Sequence, residues 1–114
     1  MTSPQRRKGS QFERDIVSYL REHGVPFAER SYGAGRPDDV GDIDGLPGFV
    51  LEAKACKRLE LAAWSDECEA ERRNARARYG AVIAKRRGKA TGSAYVVMTL
   101  EQFAELVGDD EGQQ

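Results

Sequence analysis

The hexapeptide Phe49-Val50-Leu51-Glu52-Ala53-Lys54 constrains this chain more than any other segment. It reads as a short apolar strand that ends Glu-x-Lys. Successive strand residues point to opposite faces, so Glu52 and Lys54 share one face while Phe49, Leu51 and Ala53 share the other. Upstream, Gly41-Asp42-Ile43-Asp44-Gly45 supplies an isolated acid at Asp42. A carboxylate and an ammonium side by side, with a second carboxylate near, suit metal-assisted phosphodiester cleavage. The acids hold a divalent cation and the lysine sits beside the reacting water or phosphate.

Residues 40–44 and 49–54 are expected to form a hairpin around Gly45-Leu46-Pro47-Gly48. Directly opposed antiparallel residues point to the same side, so a register pairing Asp42 with Glu52 would set their Cβ atoms roughly 5 Å apart. A slip of one residue would send Asp42 to the wrong face. Two carboxylates this close repel unless a cation lies between them, which favours metal ligation by Asp42 and Glu52. Asp44 precedes Gly45 and reads as turn chemistry.

The remaining elements follow from periodicity and punctuation. Ser10-Gln11-Phe12-Glu13 opens a helix that runs to about His23, with Gly24 as its stop and Phe12, Ile16 and Leu20 on its apolar stripe. Residues 25–30 read as a strand and the glycine-rich 31–38 as a loop. A helix is expected over 61–79, strands over 81–85 and 94–98, and a last helix over 100–107 with Thr99 as N-cap and Gln102 at its third position. The fold class is therefore α/β, a mixed central sheet flanked by helices in the order α-β-β-β-α-β-β-α. Residues 1–8 are expected to be a flexible basic arm, 9–108 a single domain, and 109–114 a disordered acidic tail. The helix before residue 81 can serve as a crossover, making the Glu-x-Lys strand parallel to the next one.

At 114 residues the chain can bury one modest core. No apolar run approaches membrane-spanning length, so no membrane partner is expected. The basic N-terminus has no apolar core behind it, so it does not read as a secretory signal. Cys56, Cys68 and the single His23 cannot make a closed zinc site, and the two cysteines read as reduced thiols of a cytoplasmic protein.

The net charge of −1 hides an asymmetry. Residues 72–89 hold Arg72, Arg73, Arg76, Arg78, Lys85, Arg86, Arg87 and Lys89 and no acid. Arg6, Arg7 and Lys8 add a basic N-terminus, and Lys57 and Arg58 follow the Glu-x-Lys strand. Basic clusters around an acidic pocket suit a protein that grips a polyanion and sets a cation against it. Arg6, Arg7, Lys8, Lys57, Arg58, Lys85, Arg86, Arg87 and Lys89 are accordingly the expected phosphate contacts. Glu13 has two expected roles that compete for one side chain: a capping box with Ser10, or a contact to the metal site from the edge of its helix's apolar stripe.

The succession Arg7-Lys8-Gly9-Ser10-x-x-Glu13-Arg14-Asp15, then Gly41-Asp42-Ile43, then Glu52-Ala53-Lys54, resembles the Holliday junction resolvases of archaeal and phage type. These belong to the PD-(D/E)xK, or restriction-endonuclease-like, nuclease superfamily. The resemblance runs from about Lys8 to Val107. Gly41 departs from it, since the superfamily name places Pro before the motif Asp. Pro37-Asp38 lies outside the expected strand.

The resemblance implies a restriction-endonuclease-like fold and a Mg2+-dependent, structure-selective endonuclease, with Mn2+ as a substitute ion. Glu13, Asp42 and Glu52 would be acidic ligands, Glu13 directly or through water. The Ala53 backbone carbonyl would be a further ligand and Lys54 the catalytic lysine. Branched or duplex DNA would be the partner, in the cytoplasm (the host's for a phage-encoded member). A two-fold junction needing two matched cuts implies a homodimer; Trp64, which reads as core or interface, or the last helix's Phe103 and Leu106 are candidate interface residues. On the helix after Lys54, the inward positions Glu67, Glu71 and Asn74 stay open. Three alternatives remain: a related nuclease for nicked, flap or linear DNA, a non-catalytic DNA-binding module, and an RNA-binding accessory protein.

Overall fold

The computed structural model describes residues 4–31 and 41–112, with side chains from Lys8 to Gly108 within that range. The elements run α1 (Pro4–Glu22), β1 (Glu29–Arg30), β2 (Ile43–Asp44), β3 (Phe49–Lys54), α2 (Leu61–Ala75), β4 (Tyr79–Ala84), β5 (Tyr95–Val97) and α3 (Leu100–Gly112). A single 3₁₀ turn, Thr91–Ser93, precedes β5. The result is an α/β fold with one mixed five-stranded sheet in the order β1-β2-β3-β4-β5.

Strand β3 spans the six residues its alternation predicts. It pairs antiparallel with β2 and parallel with β4. Parallel neighbours need a long connection, and α2 supplies it. The alternation along β3 sorts the interior into two layers. Leu51 joins Phe12, Ile16, Val17, Ile43, Ala81 and Ile83 under α1. Val50 joins Trp64, Cys68, Val82 and Ala84 under α2. Trp64 takes the core one of its two expected places.

Several boundaries differ from expectation for physical reasons. Helix α1 begins at Pro4 rather than Ser10, so residues 4–8 belong to a helix and not to an arm. Proline pre-sets the backbone angle of a first helical turn, and Gln5, Arg6, Arg7 and Lys8 are good helix formers. Ser10 is then interior, no capping box forms, and its hydroxyl accepts from Arg30 at 3.3 Å. Helix α3 continues to Gly112, into the expected tail. Its N-cap is as expected, because Thr99 Oγ1 accepts from the Gln102 N–H at 3.2 Å. The Gln102 side chain is instead buried across the fold, accepting from Gly80 N–H and donating to Glu69. Of the expected loop at 31–38, residues 32–38, with Pro37 and Asp38, lie outside the described residues.

Helix α2 ends earlier than Gly80 suggests, at Arg76 in the left-handed region. Gly80 lies inside β4, where a Cβ would stand 3.2 Å from Cys68 Sγ. Glycine there lets α2 approach the sheet closely, and that approach brings the helix's acids to β3.

Candidate metal centre and basic cleft

Glu52 lies on the α2 side of the sheet, in register with Val82 of β4. The inward stripe of α2 is Trp64, Cys68 and Glu71, and Glu67, exposed, borders it at helical spacing. Trp64, Cys68 and Glu71 are buried. One carboxylate oxygen from each of Glu52, Glu67 and Glu71 lies within 4.8 Å of the others. This trio is what the structure brings together, and two of its members were left open by the sequence. The signal was present: Trp64 and Cys68 define an inward face, and acids three residues after each fall on it or at its border. Asn74 is exposed.

Lys54 follows Glu52 on the same face, and its Nζ donates to Glu67 Oε1 at 3.1 Å. Burial opposes the Lys54 charge, but that hydrogen bond and the charges of Glu67, Glu52 and Asp42 more than offset it, raising its pKa above the ordinary lysine value. Glu52 moves furthest. Burial first, then the Asp42 charge and the hydrogen bond and charge of Glu71, push its pKa up to about 10, with Lys54 opposing. Left with these neighbours alone, Glu52 holds a proton at neutral pH. Burial also pushes the Cys68 thiol up to about 12, helped by Glu71 and Glu52, so it stays an inert thiol.

Asp42 does not stand squarely opposite Glu52. Ile43 is the Cα partner of Leu51, the register that an Asp42–Glu52 pair requires. Yet the Asp42 N–H also donates to Leu51 O, at 2.8 Å. Two residues of the β2 side thus meet one of β3, which is a β-bulge and re-aims the side chain at that point. The Asp42 carboxylate accepts from the Ala53 N–H at 2.9 Å. A strand residue directs its N–H and C=O to the same side, so the Ala53 carbonyl faces the β2 side too. Asp42 is therefore beside Ala53 and its field reaches Glu52 and Lys54, but it is outside the glutamate trio. Gly41 has φ +104°, and a Cβ there would lie 2.8 Å from Val50 Cγ1. Proline, fixed near −65°, could not occupy this position, which explains the departure from Pro-Asp.

Glu13 is not brought to the trio. It accepts from Arg30 Nε at 2.9 Å. The reason lies in the layering: α1 packs against the sheet face opposite to the one that carries Glu52 and Lys54.

The basic residues divide into two groups. Arg72 bonds Glu69 and reaches the carbonyls of Ala77 and Arg78. Arg78 pairs with Glu105 at 2.8 Å. These two are structural, and the acids that compensate them come from other parts of the sequence. Lys8, Lys57, Lys85 and Arg87 instead line a cleft of about 250 Å³ with Ala55 and Cys56. A second cleft of about 530 Å³ joins Lys8 and Lys57 to Ala53 and Lys54. Lys85, Arg86, Arg87 and Lys89 border a third with Tyr95, over whose ring the Arg86 guanidinium sits at 5.0 Å. Arg58 is exposed. The side chains of Arg6 and Arg7 lie outside the described residues.

No family model matches the chain, and no curated protein or solved structure is significantly similar to it.

Proposed function

We propose that this chain is a divalent-metal-dependent, structure-selective endodeoxyribonuclease with a restriction-endonuclease-like fold, acting as a homodimer on four-way DNA junctions. The observation that carries the reading is the joining of Ala53 and Lys54 to a cleft walled by lysines. At that strand end a buried acid, a second acid and a lysine stand beside a surface suited to phosphates. What also supports it is the donor set, which is all oxygen and fits Mg2+ or Mn2+. Glu52 Oε1 is buried and has no hydrogen-bond partner among the described residues, which is how a ligand atom stands in want of a cation.

Asp42, Glu52 and the Ala53 carbonyl would hold the ion. When bound, it would supply Lewis-acid activation of water and neutralise charge on the scissile phosphate. Lys54 orients the nucleophile or stabilises the phosphoryl oxygens as charge develops. Lys8, Lys57, Lys85 and Arg87 hold the backbone of the DNA and carry no sequence information. Glu13, engaged by Arg30, has no part in this chemistry. Leu100 and Phe103 of α3 are exposed apolar residues available to a second copy.

The test is cleavage of a synthetic immobile four-way junction with and without Mg2+, beside flap, nicked and linear duplexes. Junction cleavage that requires the ion and is lost in Glu52→Gln supports the proposal. Cleavage only of the other substrates moves the assignment to a nuclease of different selectivity. If no divalent ion yields cleavage of any substrate, the enzyme reading fails and a DNA-binding module remains.

A further inference from the structure

Glu71 of α2 is out of place on a core-facing stripe, with the exposed Glu67 one turn before it. Around them the same layer holds Val50, Trp64, Cys68 and Val82, and Glu71 is 7% exposed and Glu52 4%. Buried carboxylates in mutual contact are costly, and apolar residues of similar volume would serve stability as well or better. Glu67 and Glu71 are four residues apart, so the helix presents both to one side. Lys54 contributes the one positive charge beside these three carboxyl groups, through its contact with Glu67.

We propose that Glu67 and Glu71 of α2, together with Glu52 of β3, form a binding site for a hard divalent cation. This rests on and deepens the nuclease reading of the same strand end: Glu52, which that reading groups with Asp42 and the Ala53 carbonyl, is shared with an ion on the α2 side, and α2 becomes a ligand-bearing element. Two independent observations meet here. The three carboxylates converge within 4.8 Å. Separately, Glu52, nine-tenths buried and more, has an oxygen with no hydrogen-bond partner among the described residues. An octahedral ion with oxygens at about 2.1 Å spaces them about 3.0 to 4.2 Å apart, so a small side-chain adjustment closes the trio on Mg2+ or Mn2+. The cation also competes with Lys54 for Glu67. Filling the site frees the Lys54 ammonium to turn toward a phosphate, so ion binding and readiness of the lysine are linked.

The experiment is a Mn2+ titration of the intact chain without DNA, followed by calorimetry, with competition by Mg2+. Glu67→Gln and Glu71→Gln should each weaken Mn2+ binding by roughly 10- to 100-fold. Asp66→Asn, an exposed acid on the same helix, should leave it unchanged. Melting temperature without Mn2+ is the second readout. Both glutamine variants should melt no lower than the parent, and they should lose the rise that Mn2+ produces. Variants that bind Mn2+ like the parent, or a parent that binds none at millimolar Mn2+, would overturn the site. Mn2+ binding with this variant pattern but no DNA cleavage defeats the nuclease reading and leaves the cation site standing. Cleavage that needs Lys54, beside Mn2+ binding that Glu67→Gln and Glu71→Gln leave unchanged, does the reverse.

Discussion

The two faces of one sheet differ sharply in this protein. Under α1, β3 and β4 bury Leu51, Ala81 and Ile83 against Phe12, Ile16 and Val17, and the buried layer is hydrocarbon throughout. Under α2 the same two strands bury Val50 and Val82 beside Glu52, with Glu71 of the helix. One face closes by removing apolar surface from water. The other closes over charge that its own neighbours balance poorly. A face that gives up stability in this way points to a task beyond folding. The lesson is that the α1 layer closes on hydrocarbon alone, while the α2 layer closes over buried carboxyl groups.

This division can be broken by substitution, and the largest effect is expected under α1. Phe12 is 1% exposed, and Phe12→Ala should cost about 3–5 kcal/mol of stability. Urea denaturation checks this; a loss confined to DNA cleavage would break the comparison. Next, on the proposed nuclease reading, is Lys54→Ala, which would remove an electrostatic stabiliser of about 3–4 kcal/mol in the barrier. Cleavage should slow by roughly two to three orders of magnitude with junction binding retained, as measured by single-turnover kinetics and gel shift.

A pH series sharpens the comparison further. Glu52 is raised from 4.5 to about 10 in the folded chain. The folded state therefore binds its proton more tightly than the unfolded chain does, and that contribution is complete below pH 4.5. It is lost progressively as pH rises toward 10. Without divalent ions, melting temperature should fall across that window; Glu52→Gln should flatten the fall. An unchanged slope in that variant would show that Glu52 does not carry it. The smallest effect belongs to the cleft. Arg87→Ala should weaken binding equally for all DNA sequences and lower the salt slope by about one. Arg78→Ala, with its arginine tied to Glu105, should leave that slope alone.

What could be read from sequence depended on range. β3 was readable because its six-residue alternation is local, and Thr99 as a cap because its partner lies three residues on. The helix start at Pro4 was missed because Ser10-x-x-Glu13 imitates a capping box, while Arg30, far along the chain, claims both side chains. The basic run at 72–89 looked uncompensated, but Glu69 and Glu105 meet Arg72 and Arg78. Glu69 lies just outside that window, and Glu105 comes from another helix.

The sequence by itself determined that Glu52 and Lys54 share a strand face, because side-chain alternation is a property of the backbone alone. It also determined the mixed sheet, because a helix-length segment between two apolar strands makes a parallel pair possible. Only the tertiary structure decided which acids join them. Glu67 and Glu71 arrive because Gly80 admits α2 closely to the sheet. Asp42 is turned to the Ala53 amide by a bulge, and Glu13 is kept on the far face by the packing of α1. Convergence of side chains from separate elements depends on how those elements dock, and docking distances are not written in any local pattern.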